Sequence, residues 1–132
     1  MKKHGYGRLN LKGLKNRMKI DRKKVFEKYN GHCAYCGRKI EYKDMQVDHV
    51  KPQRNGGSDN LDNLMPSCRT CNHYKRANSL EAFRDMISKI PCKLARDSYI
   101  YKVGIAYGFY DSKQKDIKFY FERIEKPEDI KK

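Results

Sequence analysis

Apolar residues recur at helical spacing in two parts of the chain. Val25, Phe26 and Tyr29 follow Asp21, a residue type that favours helix N-caps, so we predict a helix over residues 21–29. A longer apolar stripe begins after Ser79, another N-cap candidate, and stops at Pro91. This stripe predicts an amphipathic helix over residues 80–90, with an apolar face made of Leu80, Phe83, Ile87 and Ile90.

The remaining segments alternate or carry turn signals. Residues 45–50 alternate as a strand does, with Asp48 on one face and His49 on the other. Residues 117–124 also alternate and predict a strand. Residues 51–62 are rich in turn formers and predict a surface loop, and residues 69–76 are predicted to form a helix. Residues 99–107 fit a strand or a helix that ends at Gly108, and we favour the helix. Together these elements predict an α+β fold.

The cysteine spacing adds a metal site to this picture. Cys33/Cys36 and Cys68/Cys71 form two CxxC pairs, and four thiolates at this spacing make a closed tetrahedral zinc site with a structural role. The chain has 132 residues and only 38% hydrophobic residues, so its core is small and zinc loss is expected to unfold the central module. A thioredoxin-like redox role is disfavoured, because neither pair lies in a readable βαβ unit.

The charge indicates the class of partner. Lys and Arg number 31 against 16 Asp and Glu, which gives a formal net charge of +15 and favours nucleic acid as the partner. The alternative is a basic surface that binds no nucleic acid. Basic residues dominate residues 1–24, where Asp21 is the single acid; this predicts an arm that follows phosphates, or else a solvated tail. No membrane-spanning run is readable, and we expect a cytoplasmic protein of a bacterium or of a phage-infected host.

The residues that offer chemistry lie between and beside the cysteine pairs. Asp48 and His49 are adjacent, a Gly-Gly loop and Asn63 follow, and Asn72 comes directly after Cys71. A carboxylate, an imidazole and two amides near a metal-bound turn, in a basic protein, indicate metal-assisted attack on a phosphodiester.

The ordered motifs CAYC, VDHVKP, GG, DNL and CRTCNHYK, across residues 33–76, resemble the HNH endonuclease family. The resemblance implies an α+β fold with a small ββα-metal (HNH) core stapled by a four-cysteine zinc site, to which we add flanking helices and a C-terminal strand. We expect a basic N-terminal arm over residues 1–20, a nuclease core over residues 21–78 and a C-terminal helical and strand extension over residues 79–132.

The resemblance also implies a role for each residue of the site. His49 corresponds to the general base that activates water, and Asn63 to the residue that holds the following loop and orients this histidine. Asp48 and Asn72 correspond to the ligands of a catalytic metal. Oxygen ligands of this kind favour Mg²⁺, with Mn²⁺ as a substitute. His73 is a secondary candidate.

Basic residues near these positions are expected to contact DNA, in its double-stranded form. Lys75 resembles the family lysine that contacts the scissile-strand phosphate, although it also fits a solvated helix face. The other candidates are Arg76, Lys51, Arg54, Lys23 and Lys24.

The predicted activity is metal-dependent hydrolysis of DNA that leaves 5′-phosphate and 3′-hydroxyl ends, in a phage or mobile element. The alternative is a non-catalytic zinc-knuckle protein that binds nucleic acid.

Overall fold

The computed structural model describes residues 19–124, in which a small antiparallel sheet is surrounded by short helices. The strands are β1 (Gln46–His49) and β2 (Leu64–Ser67). The helices are α1 (Arg22–Glu27), α2 (Arg69–Lys75), α3 (Leu80–Ser88), α4 (Ile90–Asp97), α5 (Tyr99–Ala106) and α6 (Tyr120–Arg123). The predicted α+β class and the order strand, strand, helix are confirmed. The expected basic arm lies outside the described residues except for residues 19 and 20.

Helix α1 begins where its N-cap residue predicts. The Asp21 carboxylate accepts hydrogen bonds from the backbone N–H groups of Lys23 and Lys24, at 3.1 and 3.2 Å, and so satisfies donors that the first turn leaves unpaired. Val25 is fully buried and packs with Met45 and Leu64. The helix is therefore held against the outer face of the hairpin, as the apolar stripe predicts.

The two strands pair so that neighbouring residues of β1 meet different environments. His49 lies opposite Leu64, and Asp48 lies opposite Met65. Leu64 belongs to the core cluster under α1, whereas Met65 belongs to a second cluster around Tyr35. The hairpin thus separates two small cores, and Asp48 is buried on the side of the second.

This second core joins the first cysteine pair to the C-terminal part of the chain. The Tyr35 ring makes edge contacts with Phe83 and Phe119, each with ring centroids 5.3 Å apart. Gly37 closes the knuckle turn with φ of +82°, and a Cβ there would lie 2.7 Å from the Tyr120 ring. Residues of the C-terminal extension therefore complete the packing of the knuckle.

The structure corrects the predicted C-terminal strand. Residues 120–123 form α6 instead, and the Glu122 carboxylate accepts a hydrogen bond from the N–H of Phe119 at 2.9 Å. The N–H groups of Tyr120 and Phe121 donate to the knuckle carbonyls of Tyr35 and Ala34, at 2.9 Å each. Packing of the aromatic side chains on the knuckle overrides the local β propensity.

The helix predicted over residues 80–90 is shorter than expected. Its N-cap is confirmed, since the Ser79 hydroxyl accepts from the N–H of Ala82 at 3.1 Å, but α3 ends at Ser88. Pro91 lies in the first turn of α4, where the missing N–H costs nothing. The proline that limits α3 therefore also lies in the first turn of the next helix.

Within residues 19–124, no helix combines the length and the apolar character needed to cross a membrane.

Candidate active site and metal centre

The four paired cysteines meet in one cluster. The ligand atoms of Cys33, Cys36, Cys68 and Cys71 all lie within 4.8 Å of one another. The first pair comes from the knuckle turn, and the second from the start of α2, where the Cys68 sulfur accepts from the N–H of Cys71 at 3.4 Å. A set of four thiols at these separations could hold a zinc ion, as the CxxC spacing predicts.

The ionisation of these thiols explains why they suit a cation. The thiol hydrogen bonds from Cys36 and Cys71 lower the pKa of Cys33 well below its usual range. The same interaction with Cys33, and then with Cys36, raises the pKa of Cys71 far above that range. Hydrogen bonding to Cys33 raises the pKa of Cys36 as well, so Cys36 and Cys71 keep their protons once the Cys33 thiolate forms. Four thiolates therefore require a bound cation to balance their charge.

Asp48 and His49 lie at the end of β1 and line one cleft of about 250 Å³. A regular strand would carry these side chains on opposite faces, so the sequence predicts that the strand must bend or end for both to serve one substrate. The strand ends at His49. The remaining lining is Val47, Pro52, Gln53, Arg54, Arg76 and Ala77.

The Asp48 carboxylate is buried and has two partners on one oxygen. Its Oδ2 accepts a hydrogen bond from the Tyr35 hydroxyl at 2.5 Å and lies 3.0 Å from the Lys75 ammonium. Burial, and then the negative charge of Asp48, raise the pKa of the Tyr35 phenol far above its usual value. Neither contact uses Oδ1. The carboxylate is thus fixed by the zinc knuckle on one side and by α2 on the other.

The imidazole of His49 is held by a second acid. Its Nε2 lies 2.8 Å from Oδ1 of Asp59, in the loop between the strands, and the same oxygen accepts a hydrogen bond from the Gln53 amide at 2.9 Å. A carboxylate only accepts, so Nε2 carries the hydrogen of this bond. In the neutral ring, Nδ1 is then free to accept a proton.

Asn63 closes the loop that carries Asp59. Its Oδ1 accepts from the N–H of Lys51 at 2.9 Å, and its Nδ2 donates to the carbonyls of Lys51 and Ser58, at 3.1 and 2.8 Å. The N–H of Val50 also donates to the Asn63 carbonyl at 2.9 Å. These bonds begin directly after His49 and tie the two ends of the loop together.

Helix α2 brings Lys75 to the hairpin, where it lies in an unexpected place. Its side chain is fully buried, and its ammonium donates to the carbonyl of His49 at 3.0 Å in addition to contacting Asp48. This burial contradicts the solvated helix face that the sequence also allowed, whereas the phosphate contact stays a prediction. Asn72 precedes it by one helical turn and is half-buried on the same side of α2.

The other basic candidates divide into two groups. Arg54 and Arg76 line the cleft, and a guanidinium N–H of Arg54 donates to the carbonyl of Ala77 at 3.1 Å. Lys51 is exposed in the adjoining loop, and Lys23 and Lys24 are exposed on α1, away from the cleft lining. Of these five candidates, Arg54 and Arg76 therefore share the cleft with the Asp48–His49 pair.

A larger groove of about 820 Å³ lies between α2, α3 and α4. His73 lines this groove together with mostly apolar side chains such as Tyr74, Phe83 and Ile87. It contains neither the carboxylate–imidazole pair nor its partners, so the smaller cleft is the candidate active site. The secondary candidate His73 lines the larger groove and is not part of the lining of that cleft.

Two residues of the site were not anticipated from the sequence. Asp59 looks like an ordinary turn residue in the sequence, and its contact with His49 depends on the path of a loop. Tyr35 looks like a spacer between two cysteines, although an aromatic residue inside a knuckle is a signal that it packs into the core. Neither residue has a spacing that identifies its partner.

Comparisons with known proteins found similarity over the segment that carries this site. Residues 33–78 match the family model described as HNH endonuclease, which confirms the resemblance over this segment. The CRISPR-associated endonuclease Cas9 of Corynebacterium diphtheriae is 35% identical over 69 residues, which are 52% of this chain and 6% of that protein. The CRISPR-associated endonuclease Cas9 of Actinomyces naeslundii is 46% identical over 44 residues, which are 33% of this chain and 4% of that protein.

A solved structure is also similar to this chain. The crystal structure of the type II-C Cas9 enzyme from Actinomyces naeslundii has 31% sequence identity and a TM-score of 0.44, over 48% of this chain and 7% of that chain. The chain therefore spans less than a tenth of the length of the relatives that it matches.

Proposed function

We propose that this chain is a metal-dependent HNH endonuclease that hydrolyses DNA phosphodiester bonds. The observation that carries the proposal is the pairing of His49 with Asp59 in a cleft that also contains Asp48, inside the segment that matches the HNH family. Such a pair supplies an oriented base beside a carboxylate, which are the groups that phosphodiester hydrolysis requires.

His49 acts as the general base in this proposal. The contact of Nε2 with Asp59 fixes the tautomer and leaves Nδ1 to take a proton from the attacking water. Asp59 also stabilises the imidazolium that forms once the proton has moved. A base of this kind contributes about 10²- to 10⁴-fold in rate.

Asp48 and Asn72 would hold the divalent cation. Their carboxylate and amide oxygens are hard donors of the type that Mg²⁺ and Mn²⁺ accept, and Oδ1 of Asp48 takes no part in the contacts with Tyr35 and Lys75. When bound, such a cation neutralises charge on the phosphodiester oxygens. The donor set therefore fits a Mg²⁺ site, with Mn²⁺ as the substitute.

Arg54 and Arg76 are the side chains of the cleft that would bind the DNA phosphates. Both line the cleft, and a guanidinium fork matches phosphate oxygens. Attack by the activated water on phosphorus breaks the bond between phosphorus and the 3′-oxygen. This oxygen takes up a proton and becomes the 3′-hydroxyl, and the phosphate stays on the 5′ end. Double-stranded DNA as the substrate, a cytoplasmic location and association with a phage or mobile element stay predictions.

A second function is a zinc-knuckle module that binds nucleic acid without cutting it. The cysteine cluster and the net charge of +15 favour it equally well. A module that only binds nucleic acid does not need the contact between Asp59 and His49, whereas a nuclease uses it to orient a general base. We therefore favour the nuclease.

Digestion of supercoiled plasmid tests the proposal. The purified protein is incubated with Mg²⁺, with and without chelator, beside His49→Ala and His73→Ala variants. We expect nicking that needs the metal, a loss of at least about 10²-fold in His49→Ala, and near-normal cutting in His73→Ala, whose side chain lies outside the cleft. Religation by a DNA ligase checks the ends.

Two results would contradict the proposal. Plasmid that is shifted in a gel but never cut by the wild-type protein would favour the binding module. Cutting that persists in pure His49→Ala protein would remove His49 from the mechanism.

A further inference from the structure

A buried hydrogen bond connects the zinc knuckle to the proposed metal ligand. Tyr35 lies between Cys33 and Cys36, is 2% exposed, and its hydroxyl donates to Oδ2 of Asp48 at 2.5 Å. An ionised carboxylate only accepts hydrogen bonds, so the phenol supplies the hydrogen of this one. The knuckle and the proposed metal ligand are therefore in direct contact.

The position of this hydroxyl is set by the knuckle and not by solvent. The ring makes edge contacts with both Phe83 and Phe119, and the N–H of Ala34 donates to the carbonyl of Pro66 in β2 at 2.8 Å. The backbone on both sides of the ring is tied to the cysteine cluster. A residue held in this way has little freedom to shift its hydroxyl group.

Lys75, on helix α2, is the second group that contacts the Asp48 carboxylate. Its ammonium reaches the same oxygen of Asp48 at 3.0 Å and also the carbonyl of His49 at 3.0 Å. Both groups contact Oδ2 and so restrict the carboxylate, and neither of these contacts uses Oδ1. Asp48 is thus oriented by groups that belong to two separate elements of the fold.

We propose that Tyr35 is a positioning residue, which holds the Asp48 carboxylate in the orientation needed to bind the divalent cation and so couples the cysteine cluster to the active site. This inference rests on the proposed role of Asp48 as a metal ligand. Hydrogen bonds to ligating groups typically change metal affinity by about 10- to 100-fold.

Binding of Mn²⁺ to a cleavage-deficient protein tests the inference. The His49→Ala protein is mixed with a duplex DNA and titrated with Mn²⁺. Electron paramagnetic resonance measures the free Mn²⁺ at each step. Addition of Tyr35→Phe is expected to weaken Mn²⁺ binding about tenfold, while zinc content, melting temperature and DNA affinity stay near those of the parent. Tyr74→Phe is the matched control, because its ring packs on the same Phe83.

Asp48→Asn in the same background separates the two proposals. If Asp48→Asn weakens Mn²⁺ binding and Tyr35→Phe does not, the role of Tyr35 is overturned and the nuclease proposal stands. If neither change affects Mn²⁺ binding, Asp48 is not a ligand and both proposals for this carboxylate fail. Loss of zinc from the Tyr35→Phe protein also overturns the inference, because the phenol would then act on the fold.

A second measurement uses the cleaving protein. In the single Tyr35→Phe variant, the Mn²⁺ concentration for half-maximal plasmid cutting is expected to rise about tenfold, with the maximal rate largely recovered at saturating Mn²⁺. A reduced maximal rate at unchanged Mn²⁺ requirement would overturn the positioning role.

Discussion

The side-chain amide of Asn63 pairs with the backbone of Lys51 through two hydrogen bonds, one accepted from the N–H at 2.9 Å and one donated to the carbonyl at 3.1 Å. This pairing closes the loop of residues 51–62 across its base, directly beside His49. Gly57 is part of the same closure, because a Cβ there would lie 1.7 Å from the Lys51 carbonyl oxygen. The loop that presents Asp59 thus has a fixed path.

We predict that Asn63→Asp destabilises this loop. The new carboxylate still accepts a hydrogen bond from the N–H of Lys51. It cannot donate to the carbonyls of Lys51 and Ser58, so its oxygen lies against carbonyl oxygens with no hydrogen between them. The expected loss is about 1–2 kcal/mol in the free energy of unfolding, with slower plasmid cutting. Urea denaturation measures the first effect.

The control for this change is Asn60→Asp, in the exposed part of the same loop. It adds the same charge and should leave the unfolding free energy nearly unchanged. Equal losses in the two variants would show that charge, and not the pairing with Lys51, causes the effect.

We predict that Asp59→Asn slows cleavage without weakening DNA binding. The amide can place its NH₂ against Nε2 of His49, which favours the wrong tautomer and removes the charge that stabilises the imidazolium. The expected fall in the rate constant is about 10- to 100-fold, part of what a general base supplies. Single-turnover cleavage of a labelled duplex measures it.

Asp62→Asn is the matched control, since Asp62 is an exposed acid three residues further along the loop. It should cut at nearly the wild-type rate. A normal rate in Asp59→Asn would show that the His49–Asp59 contact has no catalytic role.

Local patterns were sufficient for the elements that carry the site. The caps at Asp21 and Ser79 and the alternation around residues 45–50 are short-range signals, and the corresponding elements formed within a few residues of the predicted bounds. The helix favoured over residues 99–107 is also confirmed as α5. These elements depend mainly on interactions within one segment.

The errors lie where distant segments meet. The strand predicted over residues 117–124 failed because the backbone there donates to the carbonyls of Tyr35 and Ala34, more than 80 residues away in sequence. The burial of Lys75 could not be read from its neighbours, because lysine is almost never buried unless paired. Its partner Asp48 is brought close only by packing α2 on the hairpin.

We predict that Cys68→Ser unfolds the core, whereas Cys92→Ser does not. Cys68 is buried in the four-thiol cluster, so its loss removes a zinc ligand whose binding free energy is comparable to the stability of a small domain. Cys92 is exposed and outside the cluster, with its thiol donating to the carbonyl of Ser112. Circular dichroism and zinc content measure the outcome, and a folded, metal-free Cys68→Ser protein would contradict it.

We predict that Glu122→Gln lowers stability at neutral pH but not in acid. Hydrogen bonds from Arg84, at 2.7 and 2.6 Å, lower the pKa of the Glu122 carboxyl below its usual value. This stabilisation is fully present at a pH above the usual pKa of a glutamate carboxyl. It is lost as the pH falls through the lowered pKa of Glu122. The expected difference is about 0.5–1 kcal/mol at pH 7.

Thermal unfolding of the Glu122→Gln and wild-type proteins, followed from pH 7 into the acid range, measures this difference. Glu81→Gln is the control, because Glu81 contacts the same Arg84 but is 76% exposed. A difference between wild type and Glu122→Gln that persists at low pH would rule out the ion pair as its cause.

The last prediction concerns Arg76, which ends α2 with φ of +53° and ψ of −135°, a conformation that side chains other than glycine rarely adopt. Its side chain lines the cleft beside Asp48 and His49. Arg76→Gly is expected to exceed Arg76→Ala by about 1 kcal/mol in the free energy of unfolding, because only glycine relieves the strain.

Both Arg76 variants should bind DNA more weakly. The slope of log affinity against log salt should fall by about one in each, as expected for one lost phosphate contact. Equal stabilities would show that the backbone is unstrained, and unchanged DNA affinity would show that Arg76 does not contact phosphate.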